Sequence, residues 1–167
     1  MDNIALDWIA INNPNSQSVN SISREGCVFT IQFDDLGKYL VSSTHNHNIE
    51  VWDTSTKKLI KTMTDHNEIV TNIEFFNKSD EYFMSSSIDK TVKVWKNFEC
   101  IHTFKDHEDW IRCIGISKSN KYFLSGCVSS IVKGWDLETK KVLFTLSNKL
   151  NDSSLLLKNS IFVTISL

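Results

Sequence analysis

Three tryptophans, three tyrosines and three serines stand in phase along this chain, and the phase leaves few folds open. Trp52, Trp95 and Trp135 are separated by 43 and 40 residues. Tyr39, Tyr82 and Tyr122, the only tyrosines, repeat those two intervals, and so do Ser42, Ser85 and Ser125. Two unequal intervals shared by three residue types mark an internal repeat of about forty residues, each copy being one structural unit that buries its apolar surface against its neighbours. Each Tyr opens a similar run (Tyr39-Leu-Val-Ser, Tyr82-Phe-Met-Ser, Tyr122-Phe-Leu-Ser). Each Trp closes another (Ile49-Glu-Val-Trp52, Val92-Lys-Val-Trp95, Val132-Lys-Gly-Trp135).

Inside the unit the texture is β: short runs of β-branched and aromatic residues between polar turns, too short for ordinary helices. Four runs recur. The first is Val28–Phe33, Val70–Phe75 and Ile111–Ile116; the second starts at the Tyr; the third ends at the Trp; the fourth is Leu59–Met63, Ile101–Phe104 and Val142–Leu146. Asp34-Asp35-Leu36-Gly37, Asn77 to Asp80 and Lys118 to Asn120 carry turn chemistry between the first two runs. Thr56-Lys57-Lys58 and Thr139-Lys140-Lys141 separate the third from the fourth. The predicted fold class is all-β, with three four-stranded antiparallel units over about 24–64, 65–105 and 106–146.

These residues resemble the WD40-repeat family of β-propellers, over roughly residues 24–146. The Trp-Asp signature stands at Trp52-Asp53 and Trp135-Asp136, with Trp95-Lys96 in the middle unit, and the upstream Gly-His signature appears as Asp65-His66 and Asp106-His107. The resemblance implies radially arranged blades. It also implies a structural tetrad in each blade, which in the middle one is His66, Ser85, Asp89 and Trp95. The third blade keeps His107, Ser125 and Trp135 but has Ser129 for the Asp; the first keeps Ser42 and Trp52 but has Arg24 for the His and Asn46 for the Asp. The chemistry suits the types: an indole only donates, a hydroxyl accepts and passes a proton onward, and an imidazole relays to a carboxylate.

Propellers close with about four to eight blades, so three blades make an incomplete or truncated propeller. It is a fragment of a longer chain, a truncated product, or a chain whose further blades come from another copy or subunit. The abrupt loss of pattern after Leu146 favours truncation. Residues 1–23 read as a worn third strand at Ile4–Trp8, since Trp8 lies 44 before Trp52, or as a short helix with a polar Asn/Ser linker behind it. Residues 147–167 read as an irregular tail in which Ile161–Leu167 alternates well enough for a strand.

Composition trims the function classes. Lys plus Arg is 18 and Asp plus Glu 20, so no positive excess drives phosphate binding and nucleic acid is a poor partner. Asp2 and Asp7 occupy the place of a signal peptide's basic flank, and no long apolar run suggests a membrane span. Cys27, Cys100, Cys113 and Cys127 form no CxxC pair, which argues against a metal knuckle and fits reduced thiols inside the cell, cytoplasmic or nuclear. His45-Asn-His47 lacks a third ligand placed by sequence, and no phosphate loop or nucleophile motif occurs. The reading is a non-enzyme with no cofactor and no metal.

Trp110 falls outside the tryptophan phase, just before the first strand of its unit, where Cys27 and Ile69 stand in the other two. The resemblance puts these positions on the face where strand-connecting loops meet, with His45, Ile88 and Val128 beside them and Asp109 as an acidic edge. This is the expected partner-binding face, and packing of Trp110 on a neighbouring blade is the alternative. The function implied is a non-catalytic scaffold binding proteins or peptides. The runs Cys27-Val-Phe-Thr-Ile, Asn72-Ile-Glu-Phe-Phe and His107-Glu-Asp-Trp-Ile resemble WD40 substrate receptors of cullin-RING ubiquitin ligases. Many such receptors carry an Arg two residues after the Asp of Trp-Asp; Ser55, Phe98 and Glu138 stand there instead. An assembly subunit of an RNA-processing, trafficking or chromatin complex is the further alternative.

Overall fold

The computed structural model describes the backbone of residues 4–8 and 20–24, and all of 27–76 and 82–147. Among these residues there are fourteen strands and no helix. A hairpin comes first, β1 (Ile4–Trp8) against β2 (Asn20–Arg24). Three four-stranded antiparallel blades follow. Blade 1 is β3 (Val28–Phe33), β4 (Tyr39–Thr44), β5 (Ile49–Asp53) and β6 (Leu59–Met63). Blade 2 is β7 (Val70–Phe75), β8 (Tyr82–Ser87), β9 (Val92–Lys96) and β10 (Glu99–Phe104). Blade 3 is β11 (Ile111–Ile116), β12 (Tyr122–Cys127), β13 (Ile131–Asp136) and β14 (Val142–Ser147).

Local chemistry explains the turns. Between β3 and β4 the Asp34 carboxylate accepts the Tyr39 N–H at 2.8 Å while the Asp34 carbonyl accepts that of Gly37, which sits at φ 68°. A backbone with positive φ suits glycine because it has no Cβ to clash. The tight turns between second and third strands each put one residue in the left-handed region, His47, Lys90 and Ser130. The two Trp-Asp carboxylates cap the longer turns that follow the third strand. Asp53 accepts from the Thr56 N–H at 2.7 Å and the Ser55 hydroxyl at 2.6 Å, and Asp136 from the Thr139 N–H at 2.7 Å. Blade 2 has Lys96 there and turns instead through Asn97 and Phe98, both at positive φ. This substitution accounts for most of the unequal repeat. Trp52 pairs with Leu59 but Trp95 with Cys100, two residues sooner, and the remaining residue lies in the longer β7–β8 connection.

Each blade has two chemically distinct faces, set by the two-residue period of a strand. In blade 2 one face carries the row Phe75, Phe83, Trp95, Cys100, and the other carries Met84 with Val94 and Ser86 with Val92. We call them the indole face and the aliphatic face. The cores lie between blades. Phe83, Trp95 and Ile73 of blade 2 pack on Val41, Ile49, Val51 and Met63 of blade 1. Phe123, Trp135 and Ile114 of blade 3 pack likewise on Met84, Val92, Val94 and Phe104 of blade 2. Within each interface the indole stacks on the phenylalanine of its own blade, Phe83–Trp95 at 5.7 Å and Phe123–Trp135 at 5.5 Å between centroids.

Of the two readings of residues 4–8 the strand is the one present; two expectations change, the first being that Asn20–Arg24 is its antiparallel partner rather than part of a polar linker. Asn-Ser-Ile-Ser-Arg has too few apolar residues to announce a strand, and the ladder with β1 supplies what the pattern lacks. The fourth runs are longer than read, β10 starting at Glu99 and β14 ending at Ser147. The Asn77–Asp80 turn and the Ile161–Leu167 segment lie outside the described residues.

Candidate functional site

The tetrad positions of blade 2 meet in one chain of hydrogen bonds. Trp95 Nε1 donates to Ser85 Oγ at 2.8 Å, Ser85 Oγ lies 2.7 Å from His66 Nε2, and His66 Nδ1 lies 2.7 Å from Asp89 Oδ2. The two ends fix the directions: the indole can only donate and the ionised carboxylate can only accept. Ser85 therefore donates to Nε2, and Nδ1–H donates to Asp89. Asp89 also accepts the Asn67 and Thr91 N–H groups and the Thr91 hydroxyl. Burial alone would raise its pKa. The hydrogen bond from His66, with those from Thr91 and Asn67, outweighs burial and holds the carboxyl well below the usual range.

Blade 3 starts the same chain and does not finish it. Trp135 Nε1 donates to Ser125 Oγ at 2.8 Å, and Ser125 Oγ lies 2.6 Å from His107 Nε2. With Ser129 where an Asp would stand, buried His107 Nδ1 has no hydrogen-bond partner among the described residues. Ser129 turns its hydroxyl to Cys127 Sγ, 3.0 Å away. Burial, then the nearby Lys133 ammonium, push the His107 pKa down, against a smaller opposing pull from Asp106. Lys133 itself bonds Asp106 at 2.6 Å. In blade 1 Trp52 Nε1 donates to Ser42 Oγ at 3.2 Å.

The positions singled out for partner binding come together in pairs. The carbonyl of each residue before a first strand accepts a backbone N–H from the turn after the second. His45 donates to Cys27, Ile88 to Ile69, and Val128 to Trp110, at 2.9–3.0 Å. Trp110 is 50% exposed and Val128 39% exposed, so this backbone-paired position carries two apolar side chains that both meet solvent. Asp109 folds back, its carboxylate accepting the Trp110 N–H at 2.8 Å. His47 Nε2 lies 3.7 Å from Glu68 and spans blades 1 and 2 on this side.

Sequence reasoning missed the residues that join one blade to the next. Ser43 Oγ donates to the Val70 carbonyl at 2.9 Å, and Thr71 Oγ1 to the Ile111 carbonyl at 2.7 Å, also touching Ser86 Oγ. Phe98 of blade 2 meets the Tyr39 ring of blade 1 edge-on at 5.2 Å. The available signal was the second serine of Ser42-Ser43 and Ser85-Ser86, which gives way to Gly126 in blade 3. Among the described residues no group of three or more His, Cys, Asp or Glu is placed to hold a metal ion, and no helix is long and apolar enough to cross a membrane.

The family model described as WD domain, G-beta repeat matches residues 15–53, 57–96 and 98–136. Each matched span runs from the outer strand of one sheet through the third strand of the next, which assigns β2 an outer-strand role. Among solved structures, the WD40 β-propeller domain of Doa1 superposes with a TM-score of 0.66 at 26% identity, covering 78% of this chain and 43% of that one. Among curated proteins, pre-mRNA-processing factor 19 of Oryza sativa subsp. japonica is 34% identical over 41% of this chain and 14% of its own length. WD repeat and SOCS box-containing protein 1 of Danio rerio is 27% identical over 59% and 24%. WD repeat-containing protein pop1 of Schizosaccharomyces pombe is 34% identical over 52% and 11%. The chain thus spans under a quarter of the length of each of these curated relatives.

Proposed function

Because the chain belongs to the WD40-repeat family, we propose that it is a non-catalytic scaffold that binds protein or peptide partners through the face bearing Cys27, His45, Ile69, Ile88, Asp109, Trp110 and Val128. The observation that carries the reading is the half-exposed indole of Trp110, whose backbone carbonyl is bonded to the N–H of the exposed Val128. A large rigid aromatic rimmed by polar groups has the form of an interface anchor. Propellers of this family are generally interaction scaffolds, and the indole–hydroxyl–imidazole chains here lie inside blades, where they join strands instead of meeting a substrate. We place the protein inside the cell, in cytoplasm or nucleus. The test is affinity purification with mass spectrometry of wild type and Trp110→Ala. The variant is expected to lose its specific partners by about tenfold or more while its melting temperature stays near that of the wild type. Unchanged capture with a lowered melting temperature would make Trp110 a packing residue and refute the assignment.

A second reading is supported by the name of one relative, which carries a SOCS box: a substrate receptor of a cullin-RING ubiquitin ligase. Co-purification of the ligase adaptor with the full chain tests it, and its absence from the purified complex removes the reading. The similarity to pre-mRNA-processing factor 19 supports an assembly subunit of an RNA-processing complex, and the same purification separates the two.

A further inference from the structure

Blade 3 leaves an interior donor without an acceptor, and an exposed serine holds the acceptor's place. The His107 imidazole is held as that of His66 is. Each ring lies 6.2 Å from the indole of its own blade between centroids, at interplanar angles of 49° and 55°. Each Nε2 lies 2.6–2.7 Å from the serine hydroxyl that accepts the indole N–H. Nδ1 therefore points away from the serine in both blades. In blade 2 it meets Asp89 at 2.7 Å; in blade 3 it meets no partner among the described residues, on a histidine only 7% exposed. The turns that carry positions 89 and 129 match as closely. The Ile88 and Val128 N–H groups donate to Ile69 and Trp110 at 2.9 and 3.0 Å, and those of Lys90 and Ser130 to Ser87 and Cys127, both at 3.2 Å. Lys90 and Ser130 share the left-handed region at φ 69° and 60°. Ser129 thus starts from the backbone place of Asp89, and what separates the two is reach. A carboxylate carries its oxygens two bonds beyond Cβ, a hydroxyl one bond, a phosphoserine three.

We propose that Ser129 is a phosphorylation site whose phosphate completes the hydrogen-bond chain of blade 3. Ser129 is exposed in a tight turn, with its hydroxyl turned to Cys127 Sγ at 3.0 Å, so an enzyme reaches it without opening the blade. A protein kinase transfers the γ-phosphoryl group of a nucleoside triphosphate. The bond from Ser129 Oγ to phosphorus forms, the bridging bond to the β-phosphate breaks, the nucleoside diphosphate leaves, and the hydroxyl proton passes to the kinase's base. The product carries about two negative charges and three strong acceptor oxygens. One takes the His107 Nδ1–H. Another reaches the Glu108 N–H, which stands where the Asn67 N–H donates to Asp89 at 3.1 Å. The charged groups around His107 are Lys133 and Asp106, paired with each other at 2.6 Å, and the exposed Glu108. The modification acts on the closure of blade 3, whatever that blade binds.

Two measurements test this. Mass spectrometry of the chain purified from cells that make it natively should find phosphate on Ser129, within the tryptic peptide 122–133. Its absence from that residue in growing and stressed cells alike would overturn the proposal. For the geometry, phosphoserine is installed genetically in place of Ser129 and, as a control, in place of the adjacent Ser130. At Ser129 it should raise the melting temperature by about 4–8 °C, and nitrogen NMR should show His107 binding its second proton about tenfold more tightly. At Ser130 neither change is expected. In His107→Asn the gain in melting temperature should vanish; if that variant fails to fold, the NMR titration of His107 decides alone. A phosphate on Ser129 that moves neither the melting temperature nor the His107 titration, or an equal gain from Ser130, would overturn the assignment of His107 as its partner.

Discussion

Replacing Asp89 by Ala removes four hydrogen bonds at once from a place that water does not reach. The His66 side chain is 1% exposed and that of Asp89 is 6% exposed. Loss of the carboxylate leaves the imidazole Nδ1–H without an acceptor and unties Asn67 and Thr91 from the turn. An orphaned buried donor costs about 1–3 kcal/mol, toward the upper end when its lost partner is a charged group. A loss of about 3 kcal/mol corresponds to about 6–12 °C in melting temperature for a chain of this size. Ser129→Ala, at the matching place in blade 3, removes an exposed hydroxyl whose contact is Cys127 Sγ, and should cost about 0.5 kcal/mol or less. Thermal and urea unfolding of both variants give the comparison. The pH dependence adds a second arm. The Asp89 pKa is held down in the fold, so its contribution is complete above the unfolded value of about 4 and is lost as pH falls toward the folded one. The gap between wild type and Asp89→Ala should be full at neutral pH and close in acid. Equal melting shifts for the two alanine variants, or a gap independent of pH, would refute the network reading.

Ser129→Asp should give His107 Nδ1 its missing acceptor and raise stability by about 1–2 kcal/mol. The wild-type His107 pKa is depressed by burial and Lys133, so the unfolded chain takes up the proton first. Stability therefore falls as pH drops below about 6.5, and Ser129→Asp should flatten that loss in melting curves at pH 5 and 7. Asp53, held at about 2 by the Ser55 hydroxyl and the Thr56 N–H and hydroxyl, stabilises its turn above about pH 4 and stops doing so as pH falls toward 2. Asp53→Ala should lower the melting temperature at pH 7 but not at pH 2. Thr71→Val should cost about 1 kcal/mol by removing the hydroxyl that donates to the Ile111 carbonyl, read as a lower urea midpoint with an unchanged slope.

Much of this architecture is written in residue type and spacing. The period-two alternation of Val92-Lys-Val-Trp fixes which side chains share a face, and the Tyr, Ser and Trp phases fix which strands pair, because both are local consequences of strand geometry. The His66, Ser85, Asp89 and Trp95 positions were nameable from the resemblance to the WD40-repeat family. Their donor and acceptor capacities admit one order. β2 was not legible, since Asn20–Arg24 has neither alternation nor bulk and becomes a strand only by pairing with β1.

Exposure was beyond the sequence altogether. Nothing in the residues Leu124 and Val132 distinguishes them from Met84 and Val92 as strand formers, yet the first pair is partly exposed and the second is enclosed by a neighbouring blade. Trp110 and Trp95 are the same residue in one chain, one half in water and the other fully enclosed. Spacing along a strand determines a side chain's direction; what stands in that direction is decided only when blades separated by forty residues come together.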